Sequence, residues 1–411
     1  MALALNFFWG GRDNLMADVF NIPDLAEVLL SQSEELVDEI VSWRREFHQF
    51  PELGFEENIT SSKIVSALES IDSIEVVKGL GVPTSVIGVL GKGLHGSSIA
   101  LRVNMDAVPI QEKTGFPFSS CFPGMMHACG HDSHMAALLG AAKLLSLHKD
   151  KLKRPVVFLF QPAEEGKGGA KKLIGEGFLN KFRVGEMFGF HFWPKIPYGE
   201  LHTKKGLFTA LSDRIHIAIR GTATHASSPH LGVDPLIVAA NIMLAMQGII
   251  TREVDPLETA VITFGQMEAG EIYNIVPESA HLWGTLRAFS EEVRDFIKER
   301  VESMVPLVAQ AHRAIANVEY IKNYPSLIND PLLTEKVINL AKSFFGESQV
   351  FNMASPILNG EDFSFYSLKV PCNFMLLGTG LDVGLHSAAY DVPEDLIPIG
   401  AAWLAYLGLK V

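Results

Sequence analysis

Cysteine is scarce: Cys121, Cys129 and Cys372 are the three in 411 residues. So few, and an odd number, exclude a disulfide framework and point to a reducing compartment. Basic side chains are also in the minority, 34 against 47 acidic, for a net charge of -13. That balance repels phosphate backbones and anionic headgroups, so neither nucleic acid nor a membrane surface is an expected partner. Long apolar runs are missing too, and no segment is expected to span a bilayer. The apolar opening from Met1 to Trp9 has no basic region and is followed by Arg12 and Asp13, so it reads poorly as a signal peptide. No internal repeat or low-complexity segment occurs. What is left is a soluble, cytoplasmic chain of 48% apolar residues, long enough at about 150 residues per domain for two or three domains.

Helical periodicity from about residue 25 (Leu29, Leu30, Leu36, Ile40, Trp43, Phe47) stops at Pro51 and Gly54. Strand-like runs follow at 85–90, 99–105 and 156–160, with a helical stretch at about 133–148, the texture of a largely parallel α/β sheet. Near residue 206 the texture changes to strand, helix, strand, strand, helix, strand, ending near Ile321. The expected fold class is therefore α/β with two domains. A mostly parallel-sheet catalytic domain (33–205 and 324–411) carries an inserted α+β, ferredoxin-like domain (206–323), with 1–32 as an N-terminal extension.

Most of the fourteen histidines have ordinary readings. His95, His148, His216 and His312 read as surface residues, and His48, His127, His202, His230 and His281 stay open. Cys129-Gly130-His131-Asp132 differs, because a thiolate and an imidazole two positions apart can grip one metal ion while Asp132 caps the following helix. The alternative is a cysteine nucleophile, Cys129 with His131. Glu164 and Glu165 follow the apolar strand Val156–Phe160, at the strand end where such sheets place their chemistry. His191 stands alone in an aromatic strand, and His386 lies in the last loop. Cys129, His131, Glu165, His191 and His386 make five metal-type ligands where a single catalytic zinc takes three, so the count suggests two metals with one bridging ligand. Glu164, beside a ligand, is then placed to take a proton from water and pass it to a leaving amine.

The segments Met126–Asp132, Gln161–Gly166, His225–His230 and Gly360–Phe363, with Trp43–His48 and Asn274–Glu278, resemble the M20 metallopeptidase family, in its aminoacylase, hippurate hydrolase and IAA-amino acid hydrolase branch. The resemblance implies two divalent metals (Zn, Mn, Co or Ni) on those five ligands, with Glu164 as acid/base. It further implies that the inserted domain is a lid and homodimer surface, that His225 holds the oxyanion of the partner subunit's site, and that Asn274 and Arg287 hold the substrate carboxylate. Arg287 shares a polar strand face with His281, Trp283 and Thr285, and its planar fork suits a carboxylate. Two departures stand out: Asn104 where the family has Asp, with Asp106 retained to orient a metal-bound imidazole, and Thr224 where Gly is usual. The expected activity is hydrolysis of a small N-acyl amino acid. A dipeptidase, an N-acetyl-diaminopimelate deacetylase and an inactive metal-binding protein are the alternatives.

Overall fold

The structure, a computed structural model, describes residues 24–411, so the expectations for the apolar opening lie outside it. The described residues divide into two compact units, one of 24–206, 328–355 and 365–411, the other of 207–327 and 356–364.

In the first unit, the early periodicity becomes two helices, Leu25–Glu35 and Val37–Gln49, with Leu36 between them. Ala26 and Leu29 are buried in the main core, so the expected extension to residue 32 is too long: the fold has begun by Leu25. The sheet has the order Ile74–Lys78, Val86–Leu90, Val156–Gln161, Ser98–Asn104, Val184–Trp193, Cys372–Gly378, Leu201–Thr203, Val350–Asn352. Its four central strands, from Val156–Gln161 to Cys372–Gly378, run parallel. The strand Val86–Leu90, expected within the parallel set, is antiparallel to Val156–Gln161, because no crossover helix separates it from the next strand. All six residues of Val156–Gln161 are buried, as its unbroken apolar run requires. The helix His131–Leu147 is buried along most of its length. Gly140 permits this, since a Cβ there would meet Ile40 Cδ1 at 2.8 Å and Ala401 Cβ at 2.9 Å.

The second unit is a four-stranded antiparallel sheet in the order Ala260–Ala269, Ser279–Ala288, Leu211–Arg220, Ile315–Tyr324. With the helices Pro235–Gly248 and Glu291–Ala311 it has the strand and helix order of a ferredoxin-like sandwich. Ile215, Ile217, Ile219, Val238, Ile242, Leu282, Leu286, Ile297 and Val301 form a core of its own. The segment Pro356–Ser364 also belongs to this unit, although its position in the chain suggested the other. Ile357 exchanges backbone hydrogen bonds with Phe208 and Ala210, at 2.9 and 3.0 Å. Among the described residues one helix, Pro235–Glu253, is long and apolar enough to cross a membrane by length and composition. Asn241 and Gln247 interrupt its apolar sequence, and Val238, Ala239, Ile242 and Met246 are buried.

Candidate functional site

The carboxyl ends of the central strands carry most of the sequence-predicted residues. Asn104 and Gln161 are register partners at the ends of two neighbouring strands, with Asp106 and Glu164-Glu165 just beyond them. His191 lies near the end of a third, and His131 opens the buried helix.

Two of the histidines have one ring nitrogen fixed by a hydrogen bond. His131 Nδ1 lies 2.7 Å from the carbonyl oxygen of Asp106, and His191 Nδ1 lies 2.6 Å from that of Phe192. A carbonyl only accepts, so each Nδ1 carries a proton, and in the neutral ring Nε2 is the atom with the lone pair. Burial holds His131 down to about 3, with repulsion from His191 and His127 adding to it. Its imidazole is neutral, the form that binds metal. His191 Nε2 is 3.5 Å from Cys129 Sγ, and the ligand atoms of Cys129, His131 and His191 lie within 4.8 Å of one another. Cys129, Glu165 and His386 form a second such group, and His131, Glu164 and Glu165 a third. The thiol is common to the first two groups. His386 has a positive φ of 62° and is anchored by its N–H to the Ala128 carbonyl at 2.8 Å. Its Nε2 donates to Glu165 Oε1 at 3.0 Å. Burial raises the pKa of Glu165, but the bond and attraction to His386 outweigh it and hold the group at about 2. Three imidazoles, a thiol and a carboxylate are a donor set that fits divalent transition metals.

The turn carrying the two glutamates is held by its backbone. Ala163 N–H donates to Glu57 Oε1 at 2.9 Å, Glu164 N–H to Asp106 Oδ1 at 3.0 Å and Glu165 N–H to Asp106 Oδ2 at 2.8 Å. Ala163 is left-handed, with φ of 60°. Asp106 therefore differs from its expected part: its backbone carbonyl orients His131, while its carboxylate spans two consecutive amides and stays 3.7 Å from the ring. Asn104 is buried, with Nδ2 3.3 Å from His131 Nε2. An aspartate at this position would offer no hydrogen to that lone pair.

Asp132 corrects another expectation. It caps no helix; the N-cap is Gly130, whose φ is 81°. The Asp132 carboxylate instead accepts from Arg44 Nε at 3.0 Å and His48 Nδ1 at 2.8 Å. His48 also binds Glu112, at 3.1 Å, and Arg44 binds Asp391 and Glu394. Burial would depress the His48 pKa, but the bonds to Asp132 and Glu112 lift it to about 9. This network gives the motif Trp43–His48 a physical role that its sequence did not disclose. His134 escaped attention altogether. It sits three residues after His131, on the same helical face, and that spacing was the available signal. Of the other open histidines, His127 is buried, His202 bonds Glu200 at 2.8 Å, and His230 is exposed. His281 bonds His216, at 3.2 Å, and both rings stack on Trp283, so His216 is not simply a surface residue.

The second unit brings His225 and Asn274 together but not Arg287. The short pair Thr224–His225 and Ile275–Val276 sets His225 opposite Ile275, and Ala226 N–H donates to the Asn274 carbonyl at 3.1 Å. Thr224 adopts this strand without a glycine. His225 Nδ1 accepts from Ser227 N–H at 3.1 Å and from its hydroxyl at 2.7 Å, so the exposed Nε2 carries a hydrogen to donate. Arg287 donates to the Leu286 carbonyl at 3.1 Å and to Thr285 Oγ1.

The chain is 36% identical to thermostable carboxypeptidase 1 of Saccharolobus solfataricus, over 94% of this chain and 99% of that one. It is 38% identical to the IAA-amino acid hydrolase ILR1-like 2 of Arabidopsis thaliana, over 92% and 87%. Among solved structures, a dinuclear metal-binding peptidase of the M20 family from Bacillus subtilis superposes with a TM-score of 0.75, at 32% identity, covering 92% of this chain and 98% of that one. Residues 100–410 match the model of peptidase family M20/M25/M40, a span that takes in the glutamate pair, all five predicted ligands and most of both units, and the chain belongs to that family.

Proposed function

We propose that the protein is a metal-dependent amidohydrolase that splits small N-acyl amino acids into a carboxylic acid and an amino acid. The observation that carries this reading is the convergence of His131 Nε2, His191 Nε2, Glu165 and His386 around the Cys129 thiol. Cys129, which belongs to two of the groups of three, would with His131, His191, Glu165 and His386 hold two divalent ions, Zn, Mn, Co or Ni. When bound, these ions supply Lewis acidity and an ionised water. Glu164, buried beside this cluster, takes the proton of the attacking water and delivers it to the amide nitrogen as the C–N bond breaks. Asp106 and Glu57 hold Glu164 in place through the backbone. His225 donates its Nε2 hydrogen to the oxyanion, and Asn274 and Arg287 hold the carboxylate of the amino acid.

The inserted unit acts as the lid and as a homodimer surface. Ile237 and Leu244, 54% and 73% exposed on one helix, and the open sheet edge at Ala260–Ala269 support that role. The unpaired cysteines favour the cytoplasm. The carboxypeptidase relative favours a second reading, a peptide in place of the acyl group.

The test is metal analysis with a screen of acetyl-, benzoyl- and indole-acetyl amino acids and of dipeptides. Chelation is expected to abolish hydrolysis and added metal to restore it. Iodoacetamide is expected to label Cys129 only after chelation, with Cys121 and Cys372 indifferent to metal. Activity that survives complete metal removal, together with metal-independent labelling of Cys129, would point instead to a thiol nucleophile.

A further inference from the structure

His134 takes no part in the reaction above, yet it is fully buried against His191 and Phe192. The ladder between Val184–Trp193 and Ser98–Asn104 ends at the pair Gly189 and Arg102, so Phe192 lies beyond it. Its N–H donates to His134 Nε2 at 2.9 Å. A ring nitrogen that accepts bears no proton, so the hydrogen sits on Nδ1, which has no hydrogen-bond partner among the described residues. A leucine would spare the unpaired Nδ1 but would leave the buried Phe192 N–H without an acceptor, so that bond, and not packing alone, accounts for an imidazole here.

The other end of the same residue touches His191. The Phe192 carbonyl accepts from His191 Nδ1 at 2.6 Å and from the Tyr390 hydroxyl at 3.3 Å. One residue thus has its N–H held by His134 and its carbonyl fixing the tautomer of His191. The rings reinforce the link: His134 meets His191 edge-on, with centroids 4.3 Å apart, and stacks on Phe192 at 5.4 Å. A turn of the His191 ring would run into His134, and a shift of Phe192 would break the bond that aims Nε2 at Cys129.

We propose that His134 is a positioning residue for His191, acting through the Phe192 backbone and the edge of its own ring to aim His191 Nε2 at the metal. The proposal rests on the reading of Cys129, His131 and His191 as ligands.

The test compares His134→Leu, His134→Gln, His191→Ala and the His134→Leu/His191→Ala double variant. It measures Co(II) affinity by chelator competition, the absorption bands of the Co(II)-loaded protein, and thermal unfolding of the metal-free protein. His134→Leu is expected to bind Co(II) about 10- to 100-fold more weakly with displaced bands. His134→Gln, whose amide oxygen can accept the Phe192 N–H, should return to within about threefold of wild type. In the His191→Ala background His134→Leu should cost nothing further. Wild-type affinity and bands in His134→Leu, or an equal loss in both backgrounds, would overturn the proposal. Should the leucine variant not fold, His134→Asn replaces it, being too short to reach Phe192, and affinity equal to that of the glutamine variant would count against the mechanism. Unchanged Co(II) binding in His191→Ala alone would instead remove the ligand assignment beneath it.

Discussion

His131 and His225 carry the same ring under opposite conditions. His131 is fully buried, with Nδ1 committed to a backbone carbonyl and its neighbour Asp132 tied to Arg44 and His48. His225 is exposed, braced by Ser227 two residues away, with a donor hydrogen on its exposed side. Such contrast suits the proposed roles, one side chain preorganised for an ion and the other awaiting a substrate. Damage to the first should therefore appear as lost metal, and damage to the second as lost turnover in a protein that keeps its metal.

Neighbouring glutamates give the sharpest break. Glu165→Gln should lose metal and, with it, activity. Glu164→Gln should keep metal and lose at least about a hundredfold in kcat, the usual worth of a general base. Metal analysis alongside steady-state rates checks both, and the opposite pattern would exchange the two roles. Next in size, His225→Ala should retain metal while kcat falls about 100- to 1000-fold, as for loss of an oxyanion donor. If His225 serves the partner subunit, co-expressing Glu164→Ala with His225→Ala should restore about a quarter of wild-type activity, since about half of randomly paired dimers are mixed and each of these has one whole site. No recovery, with mixed dimers confirmed by mass spectrometry, would place His225 in its own subunit's site.

A smaller effect is expected at Arg287. Losing a charged hydrogen bond to the substrate carboxylate in Arg287→Ala should raise KM about tenfold or more with kcat less affected, measured against a substrate amide that lacks the carboxylate, for which the variant should be neutral. The smallest effect concerns stability. His48 has its pKa raised from 6.5 to about 9, so its contribution is complete below 6.5 and is lost as pH rises through 9. The difference in Tm between wild type and His48→Gln, which is neutral at every pH, should narrow by several degrees between about pH 6 and about pH 10. A constant difference would mean that His48 does not titrate there.

Much of this contrast was legible in the sequence, and the omissions share a cause. The five ligand-type residues could be read because cysteine, histidine and acid at strand ends are chemically conspicuous, and the second unit because strict alternation, as in Arg214–Arg220, marks a strand with two unlike faces. What stayed hidden were partnerships between distant segments. Arg44 and Asp132 are 88 positions apart, and Glu57 and Ala163 are 106 apart. No spacing rule reaches so far. Asp132 looked like a helix cap because its local position suits one, and the tertiary bond to Arg44 overrode that preference. The antiparallel strand Val86–Leu90 and the return of Pro356–Ser364 to the second unit were likewise decided by packing across the fold.

The turn at Ala163, Glu164 and Glu165 behaves as a socket. Its three consecutive amides are gripped by Glu57 and Asp106, so its shape does not depend on what is plugged into position 164. The side chain there can be exchanged for another without recasting the loop, which makes 164 a natural place to graft new chemistry. Glu57 and Asp106 are the mould: a change at either would displace both glutamates together.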